Sequence, residues 1–179
     1  MNIVTLEDGN KYCVDVGFGG DGATKPLPLV SGHVVQNLGT QELRLWYDSM
    51  PDASEPNQKV WIYQYRNNQD QEWNSYYAFP EFEFFDADLR QMNYWTSTSP
   101  TSFQTMRTLC VKFIRSKDTI VGKVMMVDGS IKRNMGGRTE IVQECKSEHE
   151  RVKALKEYFD ISLTAEEIEG IQGTITELK

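Results

Sequence analysis

The stretch KYCVDVGFGGDGATKPLPL, residues 11–29, holds Gly17, Gly19 and Gly22 in the spacing G-x-G-x-x-G directly after a run that reads as a strand. Two readings compete: a dinucleotide-binding turn, or glycines that bend the backbone behind Asp15. A dinucleotide turn needs its third glycine to open a helix whose N-terminus faces a pyrophosphate, with an acid about 20 residues on for the ribose. Pro26 and Pro28 follow too closely, and each pushes the residue before it to extended geometry, so no helix starts there. Glu42 stands at the right distance, but in a run that reads as a strand. The glycines therefore serve a sharp turn or a close backbone approach. Interest moves to Asp15, an acid between Val14 and Val16 that needs a partner if it is buried. It fits an edge-strand or turn acceptor, and it also fits the carboxylate that orients a histidine in a Cys-His-Asp or Ser-His-Asp constellation.

Around this stretch the chain reads as short strands. Ile3 to Leu6 and Lys11 to Val16 flank the turn signal EDGN and predict an opening hairpin, its second strand placing Tyr12, Val14 and Val16 on one face and Lys11, Cys13 and Asp15 on the other. HVVQNL, ELRLWY, VWIYQY and EWNSYYAF follow, separated by turn-rich links. From Pro80 the texture changes: Phe82, Phe85, Leu89 and Met92 recur at helical steps and predict a connector helix. Strands resume in LCVKFIRSKDTIVGKVMMVDGSIKRNM and GGRTEIVQEC, and Ser147 with Glu150, then Thr164 with Glu167, signal two closing helices. The expected class is α+β: an antiparallel β-barrel over 1–79, a connector helix and loop over 80–103, and an α/β lid over 104–179.

Composition bounds the partners. Across 179 residues, 19 Lys and Arg stand against 26 Asp and Glu, a net charge of -7, so neither nucleic acid nor an anionic membrane is an expected partner. No run of about 18 apolar residues could span a bilayer, and the first twenty residues lack the apolar core of a secretion signal. Cys13, Cys110 and Cys145 are odd in number and widely spaced, which argues against a disulfide framework or a zinc site and for a reducing cytoplasm.

The chain resembles the arylamine N-acetyltransferases, with a fungal-like texture. The resemblance rests on VDVGFG at 14–19, KPLPL at 25–29, MNYWTSTSPTSF at 92–103 and ERVKALKEYFDISL at 150–163, in that order. It implies a helical bundle, a β-barrel and an α/β lid of the papain-like superfamily. It also implies ping-pong transfer of an acetyl group from acetyl-CoA, through a cysteine, to an arylamine, arylhydrazine or arylhydroxylamine, the chemistry of xenobiotic metabolism, with no metal. In such a triad the histidine deprotonates the thiol and the aspartate fixes the histidine's tautomer and stabilises its charge. The resemblance makes Asp15 the triad aspartate and places Phe18 and Gly19 at the acceptor and acyl pocket, which Gly20 and Gly22 leave less defined. Trp95, Thr101, Ser102 and Thr174 match coenzyme-contact positions; Trp95 reads equally as an aromatic buried by the connector helix.

The family's cysteine follows an RGG segment and its histidine also lies upstream of the strand that begins here with NIVTL; neither segment is in this sequence. Cys13 lies roughly 6 to 7 Å along the strand from Asp15, on the same face, and cannot stand in for a nucleophile held by another domain. Cys110 reads as a small core residue, and His33 and His149 as exposed polar positions. The chain is therefore expected to be the C-terminal two-thirds of such an enzyme, inactive alone and prone to association through an open apolar face. Two alternatives stay open: a non-catalytic pseudoenzyme or binding module for coenzyme A or an aromatic ligand, and an unrelated small β-barrel binding protein.

Overall fold

A computed structural model of the chain describes residues 1–178. Its elements run β1 (Asn2–Thr5), β2 (Lys11–Val14), β3 (Leu27–Pro28), β4 (Val35–Gln36), β5 (Glu42–Ser49), β6 (Lys59–Arg66), β7 (Asn74–Phe79), α1 (Asp86–Thr98), α2 (Phe103–Met106), β8 (Leu109–Ser116), β9 (Thr119–Val127), β10 (Ser130–Asn134), β11 (Thr139–Glu144), α3 (Glu148–Phe159) and α4 (Ala165–Glu169). The strands form three antiparallel sheets, ordered β1-β2-β3, β4-β5-β6-β7 and β11-β10-β9-β8.

Two compact units emerge. The first comprises 1–82, 115–122 and 135–138; the second comprises 83–114, 123–134 and, from 139 on, the rest of the described residues. In the first, the strands expected to close into a barrel form two sheets without a closed ring. The reason lies in the proline segment. β3 is only two residues long, and Pro28, paired with Tyr12, has no N–H with which to carry a further ladder.

The core of the first unit follows from strand alternation. Register pairs Leu43 with Tyr65 and Leu45 with Tyr63, so Leu43, Leu45, Tyr63 and Trp61 gather with Cys13, Leu27 and Phe79 on one side. Arg44, Trp46, Gln64 and Arg66 alternate with them and take the opposite face. On β1 and β2 the same alternation puts Cys13 in the core and leaves Val4, Leu6, Tyr12 and Val14, with Pro26, lining an apolar cleft of about 200 Å³. Here the predicted strand is too long. β2 stops at Val14, Asp15 sits just beyond it, and Val16 is 95% exposed, so it does not share a strand face with Tyr12 and Val14.

The second unit packs Val124, Met126 and Ile131 against Cys145, Ala154 and Phe159 of the segment that enters and forms α3. Ser147 caps α3 as its spacing predicts, accepting the Glu150 N–H at 3.3 Å. The Glu150 carboxylate takes the Lys146 N–H at 2.7 Å. Thr164 and Glu167 complete a reciprocal capping box on the five-residue α4. Cys110 packs against this core, and His33 and His149 are exposed, as expected.

The connector helix is present as α1. Asp88 receives the Phe85 N–H at its start, and Pro100 holds Ser99 extended at its end. Its apolar residues, however, pack into neither core. α1 has no buried residue, and Leu89, Met92, Tyr94 and Trp95 are all exposed.

Candidate active site

Asp15 projects from the turn after β2, half-buried, and two donors fix its carboxylate. Gly17 N–H reaches Oδ1 at 3.1 Å and the Tyr77 hydroxyl donates to Oδ2 at 2.9 Å. The glycines behind it do what the proline argument predicts. Gly19 adopts φ +84°, a conformation that side chains disfavour, and Gly22 returns its N–H to the Gly19 carbonyl at 2.8 Å. A Cβ on Gly22 would stand 2.9 Å from that carbonyl oxygen. Glu42, the ribose candidate of the rejected reading, is buried and bound instead by Arg66 and Gln69.

Phe18 enters a cluster of aromatic rings. It meets Tyr76 edge-on at 5.0 Å between centroids, and it tilts against Tyr77 at 5.1 Å and Tyr63 at 5.7 Å. Tyr63 and Tyr77 stack in parallel at 5.0 Å, and Tyr65 stacks on Tyr76 at 4.5 Å. The hydroxyls are spoken for: Tyr63 donates to the Asp21 carbonyl at 2.8 Å and Tyr76 to the Asp21 carboxylate at 2.9 Å. Burial and the neighbouring carboxylates push the Tyr63, Tyr76 and Tyr77 phenols upward, helped at Tyr76 and Tyr77 by their hydrogen bonds, so they remain protonated donors. The arrangement is a polarised carboxylate at the edge of a flat-walled aromatic patch.

Tyr63, Tyr76, Tyr77 and Asp21 were not among the residues singled out by sequence. A weak signal was present, since the aromatics of VWIYQY and NSYYAF recur on adjacent strands, but only the register of β6 with β7 reveals which rings meet. Cys13 lies in the core, with its thiol pushed up to about 11 by burial and by the Asp15 charge. A thiol raised in this way is a poor nucleophile at neutral pH.

The coenzyme-contact candidates all lie in the second unit. Trp95 is 57% exposed on α1, which removes the reading of an aromatic buried by the connector helix. Ser102 is buried and serves the backbone: its hydroxyl donates to the Thr96 carbonyl at 2.6 Å and caps α2 by accepting the Gln104 N–H. Thr101 is exposed beside it, its hydroxyl 3.0 Å from that of Ser99. Thr174 is exposed in the final turns, donating to the Ile171 carbonyl at 2.8 Å. The fold brings Trp95, Thr101 and Ser102 to one helix-loop-helix segment, while Asp15, Phe18 and Gly19 share one turn.

A family model described as N-acetyltransferase matches residues 1–168. The chain belongs to the arylamine N-acetyltransferase family. Among curated relatives of this family, an N-malonyltransferase of Fusarium pseudograminearum is 35% identical over 96% of the chain and 52% of its own length. Another N-malonyltransferase, from Gibberella moniliformis, is 33% identical over 87% of the chain and 48% of its length. The chain thus spans about half the length of the curated N-acetyltransferase-family relatives it matches. Its fold matches the Mycobacterium marinum arylamine N-acetyltransferase solved in complex with CoA, with a TM-score of 0.71 and 26% identity over 89% of the chain and 52% of that structure. No helix among the described residues is long and apolar enough to cross a membrane.

Proposed function

We propose that this N-acetyltransferase chain supplies the aspartate and the aromatic acceptor wall of an acyl-transfer site, and that the nucleophilic cysteine and its histidine come from a segment outside it. The observation that carries the reading is the Asp15 carboxylate, held by Gly17 and Tyr77 at the edge of the Phe18 ring cluster. With both oxygens oriented, Asp15 can accept a histidine N–H, hold that ring in one tautomer and stabilise the imidazolium formed when a thiol loses its proton. Phe18 and its neighbouring tyrosines offer flat faces to an arylamine or arylhydrazine. Gly19, where a Cβ would meet only open space, leaves room for the acyl group.

The reaction is ping-pong acyl transfer from an acyl-CoA. Acetyl-CoA is the donor that the family resemblance implies, and the names of the fungal relatives bring malonyl-CoA beside it. Trp95, Thr101, Ser102 and Thr174 are the coenzyme contacts, Ser102 through placement of the loop that carries Thr101. The apolar cleft on the β1–β3 sheet is the face on which the cysteine-bearing segment docks; the cleft residues and exposed Val16 support that reading.

The test is reconstitution. The chain alone, given acetyl-CoA or malonyl-CoA and an arylamine, should form no amide and carry no stable acyl-cysteine by intact mass. Mixed or co-expressed with the N-terminal half of a fungal relative, it should gain acyl transfer, and Asp15→Asn should abolish that gain by at least a hundredfold in kcat/KM. Turnover by the isolated chain, or full activity in the Asp15→Asn complex, overturns the proposal.

A further inference from the structure

The face of the β4–β7 sheet opposite the core carries a second organised group. Arg44 meets two indoles, its guanidinium carbon 4.6 Å from the Trp46 ring centre and 4.2 Å from that of Trp73. Arg66 sits 4.5 Å from the same Trp73 ring. Buried Glu42 takes Arg66 at 2.6 Å and the Gln69 amide at 3.1 Å, so one of the two cations is matched. Arg44 is not. Its Nε donates to Gln64 at 2.8 Å, and its terminal nitrogens have no partner among the described residues. Asp48, next along the strand, is engaged by the Trp46 indole at 3.2 Å and by Lys59 at 3.8 Å.

We infer that Arg44, framed by Trp46 and Trp73, is a binding site for a small oxyanion, a phosphate or a carboxylate group. The two indole faces shield the guanidinium from water, while its two terminal nitrogens form a fork matched to two oxygens of one anion. Cation–π contact holds the fork in place in advance, which lowers the ordering cost of binding. Burial and the nearby Arg66 charge both work against the Arg44 cation, and an anion at its edge relieves both. A net charge of -7 disfavours non-specific anion binding, so a saturable response points to a local site.

The experiment is a titration of the ¹⁵N-labelled 179-residue chain with sodium phosphate, and separately with sodium benzoate, at constant ionic strength against chloride. The indole N–H resonances of Trp46 and Trp73 and the Arg44 Nε–H should shift saturably. Saturation by phosphate alone identifies a phosphate site and by benzoate alone a carboxylate site; either supports the inference. Arg44→Gln should weaken binding at least tenfold, and Arg44→Lys, which keeps the charge without the fork, at least threefold. Lys59→Gln, on the same sheet, should bind within twofold of the parent. Shifts that rise linearly and equally with chloride overturn the site, as does unchanged affinity in Arg44→Lys, the variant that also decides the matter should Arg44→Gln fail to fold.

Discussion

The turn 15–22 and the helix α1 both carry candidate site residues beside large apolar side chains, yet the fold treats them in opposite ways. In the turn, each group is tied inward: Asp15 to Tyr77, Phe18 to three tyrosine rings, Gly22 to Gly19. In α1, Leu89, Met92, Tyr94 and Trp95, like Phe85 at its N-cap, pack on nothing in either core. The first region is pre-organised by its own unit and would hold its geometry without help. The second is an apolar surface in search of cover, of the kind that marks an interaction face.

The sharpest way to break this contrast is at its root. Tyr63→Ala removes a side chain that is 1% exposed, stacks on Tyr77 and donates to Asp21, and should cost about 3 to 5 kcal/mol in urea unfolding. A cost near zero would mean that the turn is not built on this core. Tyr77→Phe keeps the stacking and deletes one donor to Asp15, so about 1 to 3 kcal/mol should be lost. A loss confined to stability, with unchanged kcat in the reconstituted complex, would make Tyr77 a packing residue and nothing more.

Titration of Cys13 offers a gentler probe of the same core. Its native pKa of about 11 lies above the ordinary thiol value, so the contribution to stability is fully present below the unfolded pKa. It is lost as pH rises from about 9 towards 11, because the unfolded chain releases the proton first. Unfolding midpoints should fall over that window in the parent and fall less in Cys13→Ala. The smallest effect belongs to α1: Leu89→Ala should change stability by less than about 0.5 kcal/mol. It should nonetheless reduce binding of a hydrophobic dye, and an α1 substitution costing several kcal/mol would show that the helix is packed after all.

Much of the turn was legible in the sequence because local chemistry governs it. Prolines forbid a helix after Gly22, a positive φ calls for glycine at Gly19, and capping residues mark α3 and α4 without reference to anything distant. Failures came where distant partners decide. Strand count suggests a barrel, but whether a sheet closes depends on which edges pair, and two-residue β3 and β4 leave little to pair with. In sequence Trp95 reads as much like a core residue as a contact residue, because an apolar stripe records that a face is meant to be covered and not by what.

The α+β class and the family resemblance, with Asp15 as a candidate within it, are readable from the sequence alone, since these rest on residue identity, spacing and short-range sterics. Only the tertiary structure decided that Asp15 answers to Tyr77, 62 residues away, that Phe18 shares a ring cluster with Tyr63 and Tyr76, and that Arg44 meets the indoles of Trp46 and Trp73. Those pairings are set by strand register, and register is fixed by the packing of a whole sheet at once.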